Sequence, residues 1–347
     1  MKIKKRKIGK RYPPFIIAEI SGNHKGSLYR AKKLIKEAKL AGASAVKLQT
    51  FDLDEITINS NRREFFINDK NSSWNKRNLY SLYKESQTPL KWHKAIFEYC
   101  NRINLICFSS VFDLKSLAEL KKLKSPAYKI ASFEINHYPL IEEVAKTKKP
   151  TIISTGMSNL KEIIEVQKIF KKANNPNYAF LKCTSAYPAN PSDSNINAIK
   201  TLKKIFNCEI GLSDHTLGIG CSVASISLGG TIIEKHLTLK KNDGSIDGHF
   251  SLVPEEFKNL VKECNIAWKS LGKNKVCVSK GEKKSLIFRR SIYVSKNLKK
   301  GCKINKNNIK VIRPSLGMHP KYYNSLIGRK LKKAVKKGTP FKKSMVY

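Results

Sequence analysis

Short apolar runs alternate with longer amphipathic segments along most of the chain. Runs rich in β-branched and aromatic residues, bounded by turn-forming residues, predict buried strands. There are eight of them: FIIAEI (15–20), AVKLQT (45–50), LICFSS (105–110), AYKIAS (127–132), TIISTG (151–156), AFLKCTS (179–185), EIGLSDH (209–215) and TIIEKH (231–236). In the segments between them, such as 28–43, apolar residues recur three and four positions apart, which predicts amphipathic helices.

Buried strands that alternate with amphipathic helices indicate an α/β protein with a parallel sheet covered by helices. Eight such units within about 240 residues predict a closed (β/α)₈ TIM barrel. The alternative is a doubly wound open sheet, which would carry a glycine-rich phosphate loop after its first strand. Here the first strand is followed by ISGNHKGS (20–27), which does not match that loop.

The pattern changes after Gly272. Residues 273–285 are polar and basic without periodicity, which is typical of a linker. Residues 286–347 alternate over short stretches and are dense in turns, which predicts a second, small β-rich domain. We therefore expect a barrel domain over 1–272, a linker over 273–285 and a C-terminal domain over 286–347.

Composition adds a cellular context. The chain has 347 residues, of which 41% are hydrophobic and 27% charged, as in ordinary globular proteins. The longest apolar runs are too short to span a membrane, and no signal-peptide pattern follows the basic N-terminus. Eight scattered cysteines without a CxxC pair favour reduced thiols. We expect a cytoplasmic protein with no membrane partner.

The formal net charge of +42 raises the alternative of nucleic-acid binding. A binding surface for nucleic acid would concentrate its basic residues in a patch or stripe, whereas these lysines are spread along the whole chain. We therefore expect a solvated basic surface that attracts anionic metabolites and no nucleic-acid partner.

Polar or ionisable residues end almost every predicted strand. They are Glu19, Lys47 with Gln49, Ser110, Lys129 with Ser132, Ser154, Lys182 with Ser185, Asp214 with His215, and Lys235 with His236. In a TIM barrel the carboxyl ends of the strands and the loops that follow them build the active site. One such residue could be a satisfied core residue, but eight at corresponding positions indicate a site.

His215 and His236 end the last two strands, which are neighbours in a barrel. Two imidazoles leave room for water and substrate oxygens, so the pair predicts an open site for a divalent cation such as Mn²⁺ or Mg²⁺. Lys47, Lys129 and Lys182, beside several serines, predict a pocket for a carboxylate and a phosphate. The alternatives are that one of these lysines merely pairs with Glu19 or Glu134, and that one is a Schiff-base lysine.

The carboxylates expected at the same mouth are Glu19 and Glu134, with Asp247 on the loop after the last strand. They could transfer protons or orient water. Asp214 could instead orient His215 through a hydrogen bond. A metal-dependent hydrolase is another function class, but it would show an HxH pair after the first strand, where only His24 is found.

Ten segments carry a resemblance to a known family. They are IAEISGNHKGS, AGASAVKLQTF, YKIASFEI, ISTGMSNLKEI, LKCTSAYPA, GLSDHTLGIG, IEKHLTL, DGHFSLVPEEF, RRSIYV and IRPSLGMHP, in this order along nearly the whole chain. With them the chain resembles the sialic acid synthase family, most closely its bacterial pseudaminic acid synthases. Members of this family condense phosphoenolpyruvate (PEP) with an open-chain acylamino sugar, giving a nonulosonic acid and phosphate.

The resemblance implies a set of residue roles. His215 and His236 would bind a divalent metal (Mn²⁺, Mg²⁺ or Co²⁺) and would be catalytic together with Glu19, Glu134 and Asp247. The residues that hold PEP would be Lys47, Ser110, Lys129, Ser132, Ser154, Ser185 and Ser213. The sugar would contact Gln49, Tyr187 and Arg313. N-acetylneuraminate and legionaminate synthesis by the same mechanism are the alternatives to pseudaminic acid synthesis.

The resemblance also implies an antifreeze-like (SAF, β-clip) domain at the C-terminus. In relatives this domain crosses to the partner subunit of a homodimer, where an arginine matching Arg313 reaches the partner's sugar. The chain departs from the family pattern at Lys25, Val111 and His249. All three concern the sugar side of the site or its approaches, so they bear on the identity of the sugar.

Overall fold

The computed structural model describes residues 1–70, 72 and 74–347, and it divides into two compact units, Met1–Gly272 and Lys273–Tyr347. The first unit is a closed barrel of eight parallel strands, which confirms the predicted fold. A short hairpin, β1 (Lys2–Ile3) with β2 (Arg6–Lys7), precedes it. The barrel strands are β3 (Phe15–Glu19), β4 (Ala45–Thr50), β5 (Ile106–Val111), β6 (Tyr128–Ile130), β7 (Thr151–Ser154), β8 (Tyr178–Cys183), β9 (Glu209–Asp214) and β10 (Ile232–His236).

The barrel closes between its last and first strands. β10 pairs with β3 along its whole length, with His236 opposite Glu19, and it pairs with β9 on its other side. An open sheet would leave two edges, so the doubly wound alternative is wrong. Closure also places the ends of β3, β9 and β10 side by side, where sequence analysis found Glu19, Asp214 and His236.

Helices surround the barrel, as the amphipathic segments predict. α1 begins after Ser27, whose side chain accepts a hydrogen bond from the Arg30 backbone N–H and so caps the helix. The helices are α1 (Leu28–Leu40), α2 (Leu53–Ile56), α3 (Leu79–Ser86), α4 (Leu90–Arg102), α5 (Leu114–Lys122), α6 (Tyr138–Lys146), α7 (Leu160–Lys172), α8 (Ala198–Ile205), α9 (Gly220–Ser227) and α10 (Pro254–Ser270). No helix in the described ranges is both long and apolar enough to cross a membrane.

Alternate residues of each strand face the barrel interior and the helices. Phe15, Ile17, Phe108 and Leu181 fill the interior with the N-terminal hairpin residue Ile3. Their outward neighbours pack against the helices in a larger cluster. Towards the carboxyl end of the strands the inward positions change from apolar to ionisable residues. The barrel interior is therefore a packed apolar core towards the amino ends of the strands and a polar chamber at their carboxyl ends.

The second unit contains an antiparallel pair, β11 (Ser291–Val294) and β12 (Ile309–Ile312), in which Ser291 lies opposite Ile312. Isolated bridges and the short helix α11 (Tyr323–Leu326) complete it. Its own apolar cluster includes Ile292, Leu331 and Phe341, all completely buried. One strand pair and isolated bridges around a small core agree with the alternation and turns that the sequence shows after residue 286.

Candidate active site

Two lysines and two glutamates form a charged cluster at the centre of the polar chamber. Lys47 Nζ forms an ion pair with Glu19 Oε2 and lies 3.6 Å from Glu234 Oε1. Lys129 Nζ lies 3.8 Å from the same Glu234 oxygen. All four side chains are almost completely buried. Since buried charges need compensation, the opposite charges of the lysines and glutamates offset part of the cost of their burial.

The electrostatics of this charged cluster are asymmetric. Burial favours the neutral amine of Lys47, but the carboxylates of Glu19 and Glu234 outweigh it and raise the pKa of Lys47. For Lys129 burial prevails and lowers the pKa of the amine. Burial also raises the pKa of Glu19, whereas the two lysines overcome burial and lower the pKa of Glu234. An additional anion beside Lys129 would favour the charged form of its amine.

Hydroxyl groups line the chamber beside the lysines. Lys47 donates a hydrogen bond to Ser110 Oγ at 2.8 Å, and Lys129 donates one to Ser154 Oγ at 2.7 Å. Ser213 donates to Glu234 Oε1 at 3.3 Å. These hydroxyls can rotate to donate to an anion, because each has its own hydrogen and two lone pairs.

Ser132 and Ser185 lie on either side of Gly156, whose backbone N–H donates to Ser132 Oγ at 3.1 Å. A Cβ atom at Gly156 would lie 2.3 Å from Ser185 Oγ and 2.8 Å from Ser132 Oγ. The glycine therefore keeps open a small cradle lined by two hydroxyls. A cradle of hydroxyl groups near two lysines suits a phosphate or a carboxylate.

His215 and His236 meet at the same mouth, with ring centroids 5.4 Å apart. His215 Nδ1 lies 2.9 Å from the Thr184 carbonyl oxygen, so this nitrogen carries a proton and Nε2 is the ring nitrogen that could bind a metal. Burial and the charges of His215 and Lys47 lower the pKa of His236 well below its usual value, and its buried Nδ1 has no hydrogen-bond partner.

A neutral imidazole with an unsatisfied nitrogen fits a metal ligand. Among the described residues there is no cluster of three or more histidine, cysteine or carboxylate side chains that could enclose an ion. The donor set thus fits an open site, in which a divalent cation takes its other ligands from water and substrate.

Two further carboxylates face the mouth. Asp247 accepts a hydrogen bond from Ser21 Oγ, and its Oδ2 lies 3.7 Å from His236 Nδ1. Glu134 lies in a 3₁₀ turn after β6, partly buried, and its Oε2 is enclosed without a partner. Burial raises the pKa of Glu134 to about 7, against the opposing effect of Lys129. A carboxyl group with this pKa can either donate or accept a proton near neutral pH.

The remaining sugar candidates are separated between the two units. Gln49 pairs in register with Ser110 at the carboxyl end of β4. The Tyr187 ring lies 4.5 Å from the His215 ring. Arg313 lies in the second unit, directly after β12, and is exposed.

Sequence analysis misplaced two strand-end residues. Lys182 does not join the other lysines, because it faces outward on β8 and its Nζ donates to Thr184 Oγ1 at 3.1 Å. Asp214 does not orient His215, since it also faces outward, where it pairs with Lys235 at 2.9 Å and caps the turn at Thr216. His24, the residue behind the hydrolase alternative, is buried against Thr88, away from the histidine pair.

Sequence analysis also missed two residues of the site. Glu234 was not among the expected carboxylates, although it lies between Lys47 and Lys129. Its position two residues before His236 is the signal that could have found it, since residues two apart share a face. Gly156 was missed because a glycine contributes no side chain, and only its surroundings reveal the cradle.

Comparison with known proteins finds relatives that match nearly the whole chain. The chain is 45% identical to the pseudaminic acid synthase of Campylobacter jejuni subsp. jejuni serotype O:23/36, over 95% of this chain and 96% of that protein. It is 35% identical to the N,N'-diacetyllegionaminic acid synthase of Campylobacter jejuni serotype O:2, over 90% and 94% of the two chains.

Crystal structures of other proteins match the fold of this chain. One is the N-acetylneuraminic acid synthetase of Leptospira borgpetersenii in complex with citrate, with a TM-score of 0.74 and 32% identity over 82% of this chain and 94% of that one. The model of the SAF domain matches residues 289–346, and the model of the NeuB family matches residues 34–276. Both matches confirm the resemblance seen in the sequence: the chain belongs to the NeuB family, with a SAF domain at its C-terminus.

Proposed function

We propose that this protein is a pseudaminic acid synthase, which condenses PEP with 2,4-diacetamido-2,4,6-trideoxy-altrose to give pseudaminic acid and phosphate. The observation that carries the proposal is the buried anion pocket of Lys47 and Lys129 next to the histidine pair at one barrel mouth. The choice of sugar is supported by identity, which is 45% with the pseudaminic acid synthase and 35% with the legionaminic acid synthase.

PEP binding would use the charges and hydroxyls of the chamber. PEP carries a phosphate and a carboxylate, which suits two lysines on β4 and β6, the strands on either side of β5. We assign PEP binding to Lys47, Ser110, Lys129, Ser132, Ser154, Ser185 and Ser213, with the Gly156 cradle among them. Glu234 balances the lysine charges and keeps their side chains in place for the incoming anion.

The sugar would enter from the side of Glu19, Gln49, Tyr187 and Asp247. His215 and His236 would hold a divalent cation, for which Mn²⁺, Mg²⁺ and Co²⁺ are the candidates; when bound it polarises the sugar aldehyde as a Lewis acid. The methylene carbon of PEP forms the new carbon–carbon bond, water adds to the neighbouring carbon, and phosphate leaves with cleavage of its C–O bond.

Glu134 would manage a proton in these steps. Its carboxyl group, with a pKa of about 7, can hold a proton for the aldehyde oxygen, which becomes a hydroxyl when the carbon–carbon bond forms. Asp247, which is held by the hydrogen bond from Ser21 Oγ, would orient the sugar.

The proposed function also includes an oligomeric state and a cellular location. We propose a homodimer in which the SAF domain, 286–347, follows a linker over 273–285 and brings Arg313 to the partner's sugar. A guanidinium group suits amide and hydroxyl oxygens because its donors form a planar fork. A cytoplasmic location is supported by the eight cysteines, all of which are free thiols.

The test is phosphate release from PEP, measured with Mn²⁺ or EDTA and with two sugars in parallel. Metal-dependent release with the altrose derivative alone would support the proposal in full. Release with N-acetylmannosamine instead would keep the reaction and move the protein to N-acetylneuraminate synthesis. No release with either sugar, followed by none with a legionaminate precursor, would refute the synthase function.

A further inference from the structure

A row of aromatic rings runs outward from the histidine pair. The Tyr187 ring lies 4.5 Å from His215, and the Trp74 ring lies 5.5 Å from Tyr187. His249 is 6.2 Å from Trp74 in an edge-to-face arrangement and 5.0 Å from Phe250. Trp74 comes from the loop between α2 and α3, whereas His249 comes from the loop after β10. Two distant loops thus meet over the mouth of the barrel.

The chemistry of Trp74 is restricted by its hydrogen bond. Its indole N–H donates to the Ile246 carbonyl oxygen at 3.3 Å, and this is the only hydrogen bond an indole can make. The ring is half-buried, so part of its surface is accessible. What Trp74 can offer to a ligand is therefore an apolar face.

Position along the row indicates which part of a substrate would reach that face. The sugar aldehyde must lie next to His215 and His236 if they hold the activating cation. Trp74 is one ring farther out than Tyr187, so it would face carbons remote from the aldehyde. A hydroxyl group against such an apolar face would lose its hydrogen bonds to water without a replacement, whereas a methyl group would gain by leaving water.

We propose that Trp74 and His249 form an aromatic wall that recognises a methyl group on the end of the sugar remote from the aldehyde. This inference rests on the proposed function, and it makes Trp74 a specificity-determining residue. The methyl can come from two sources, the deoxy carbon at C6 or the second acetamido group at C4. Both distinguish the proposed substrate from N-acetylmannosamine.

Trp268 offers a matched control. It is also a half-buried tryptophan whose indole N–H donates to a backbone carbonyl, that of Lys10 at 3.0 Å. It lies on α10, next to the segment that leads into the first barrel strand, at the end of the barrel opposite to the mouth. Trp268→Ala therefore removes the same side chain without touching the aromatic wall.

The experiment compares Trp74→Ala, Trp74→Phe and Trp268→Ala with the unchanged protein, using three sugars. These are 2,4-diacetamido-2,4,6-trideoxy-altrose, an analogue with a hydroxyl group on C6, and an analogue with a hydroxyl group in place of the acetamido group at C4. We expect Trp74→Ala to lower kcat/KM for the first sugar by roughly 10- to 200-fold, the range for one methyl group in an apolar pocket. Trp74→Phe should retain most activity, and the KM for PEP should stay unchanged in all variants.

The analogues identify the methyl group. The unchanged protein should discriminate against one analogue, and Trp74→Ala should lose that discrimination; the analogue concerned shows which methyl is recognised. An equal loss for all three sugars, a parallel rise in the KM for PEP, or an effect as large in Trp268→Ala would overturn the inference. If the unchanged protein releases no phosphate with any sugar, the proposed function itself has failed.

Discussion

Glu134→Gln should stabilise the protein and impair turnover. Folded Glu134 has a pKa of about 7 because burial disfavours its charged form, against an ordinary value of 4.5. At 1.36 kcal/mol per pH unit, the difference corresponds to at most about 3 kcal/mol. A buried carboxyl group that serves catalysis should lower the stability of the folded protein by such an amount when it is ionised.

The sign follows from proton binding. Below pH 4.5 the group is protonated in both states and contributes no difference. Between pH 4.5 and about 7 the unfolded chain loses its proton while the folded protein keeps it, so the free energy of unfolding falls as the pH rises. Above about pH 7 the folded protein carries the buried charge and the loss is complete. Glutamine has no carboxyl proton to lose, so Glu134→Gln avoids this loss of stability.

The assay is thermal unfolding at pH 5 and pH 8, in EDTA and without PEP. Glu134→Gln should match the unchanged protein near pH 5 and unfold at a higher Tm at pH 8, by about 6 °C if each kcal/mol raises Tm by about 2 °C. Glu98→Gln is the matched control, because Glu98 is an exposed glutamate on α4. A Tm difference for Glu134→Gln that is the same at both pH values would refute the reasoning.

Three further predictions test the other parts of the site. His215→Ala and His236→Ala should each abolish phosphate release while the circular dichroism spectrum stays native; turnover in a variant that still binds Mn²⁺ would contradict their assignment as ligands. Gly156→Ala should raise the KM for PEP by roughly 5- to 150-fold, since its Cβ would overpack the cradle beside Ser185 at a cost of about 1–3 kcal/mol; an unchanged KM would exclude the cradle. Arg313→Ala should raise the sugar KM by about 10-fold or more, as expected for the loss of a charged hydrogen bond, and a loss of PEP affinity instead would show that the role is misassigned.

The barrel could be predicted from the sequence because its strands are apolar on both faces and its helices on one. The ends of the strands were harder to predict. The run AYKIAS suggested a strand to residue 132, but β6 ends at Ile130 and the chain turns into a 3₁₀ helix at Ser132. That turn gives Ser132 and Glu134 their positions. The aromatic wall could not be predicted, since Trp74 lies in a loop without any periodic pattern.

The direction of each strand-end side chain was the main uncertainty, and it has a physical cause. In a sheet buried on both faces, hydrophobicity does not tell inward from outward positions. Once one residue is known to face inward, the direction of every other side chain in its strand follows, because side chains alternate between the two faces. Leu181 faces the barrel interior, so Cys183 does too and Lys182 faces outward.

The same reasoning explains the sequence Glu234–Lys235–His236 at the end of β10. Ile232 belongs to the inner core, so Glu234 and His236 must also face the interior, and Lys235 must face the helices. Lys235 then pairs with Asp214, the outward residue beside it on β9, and neither takes part in the site. Glu234 instead meets the two lysines that we assign to PEP, and His236 meets His215. A single strand end thus supplies a charge partner for the anion pocket, a candidate metal ligand and, on its other face, an ion pair that ties adjacent strands together.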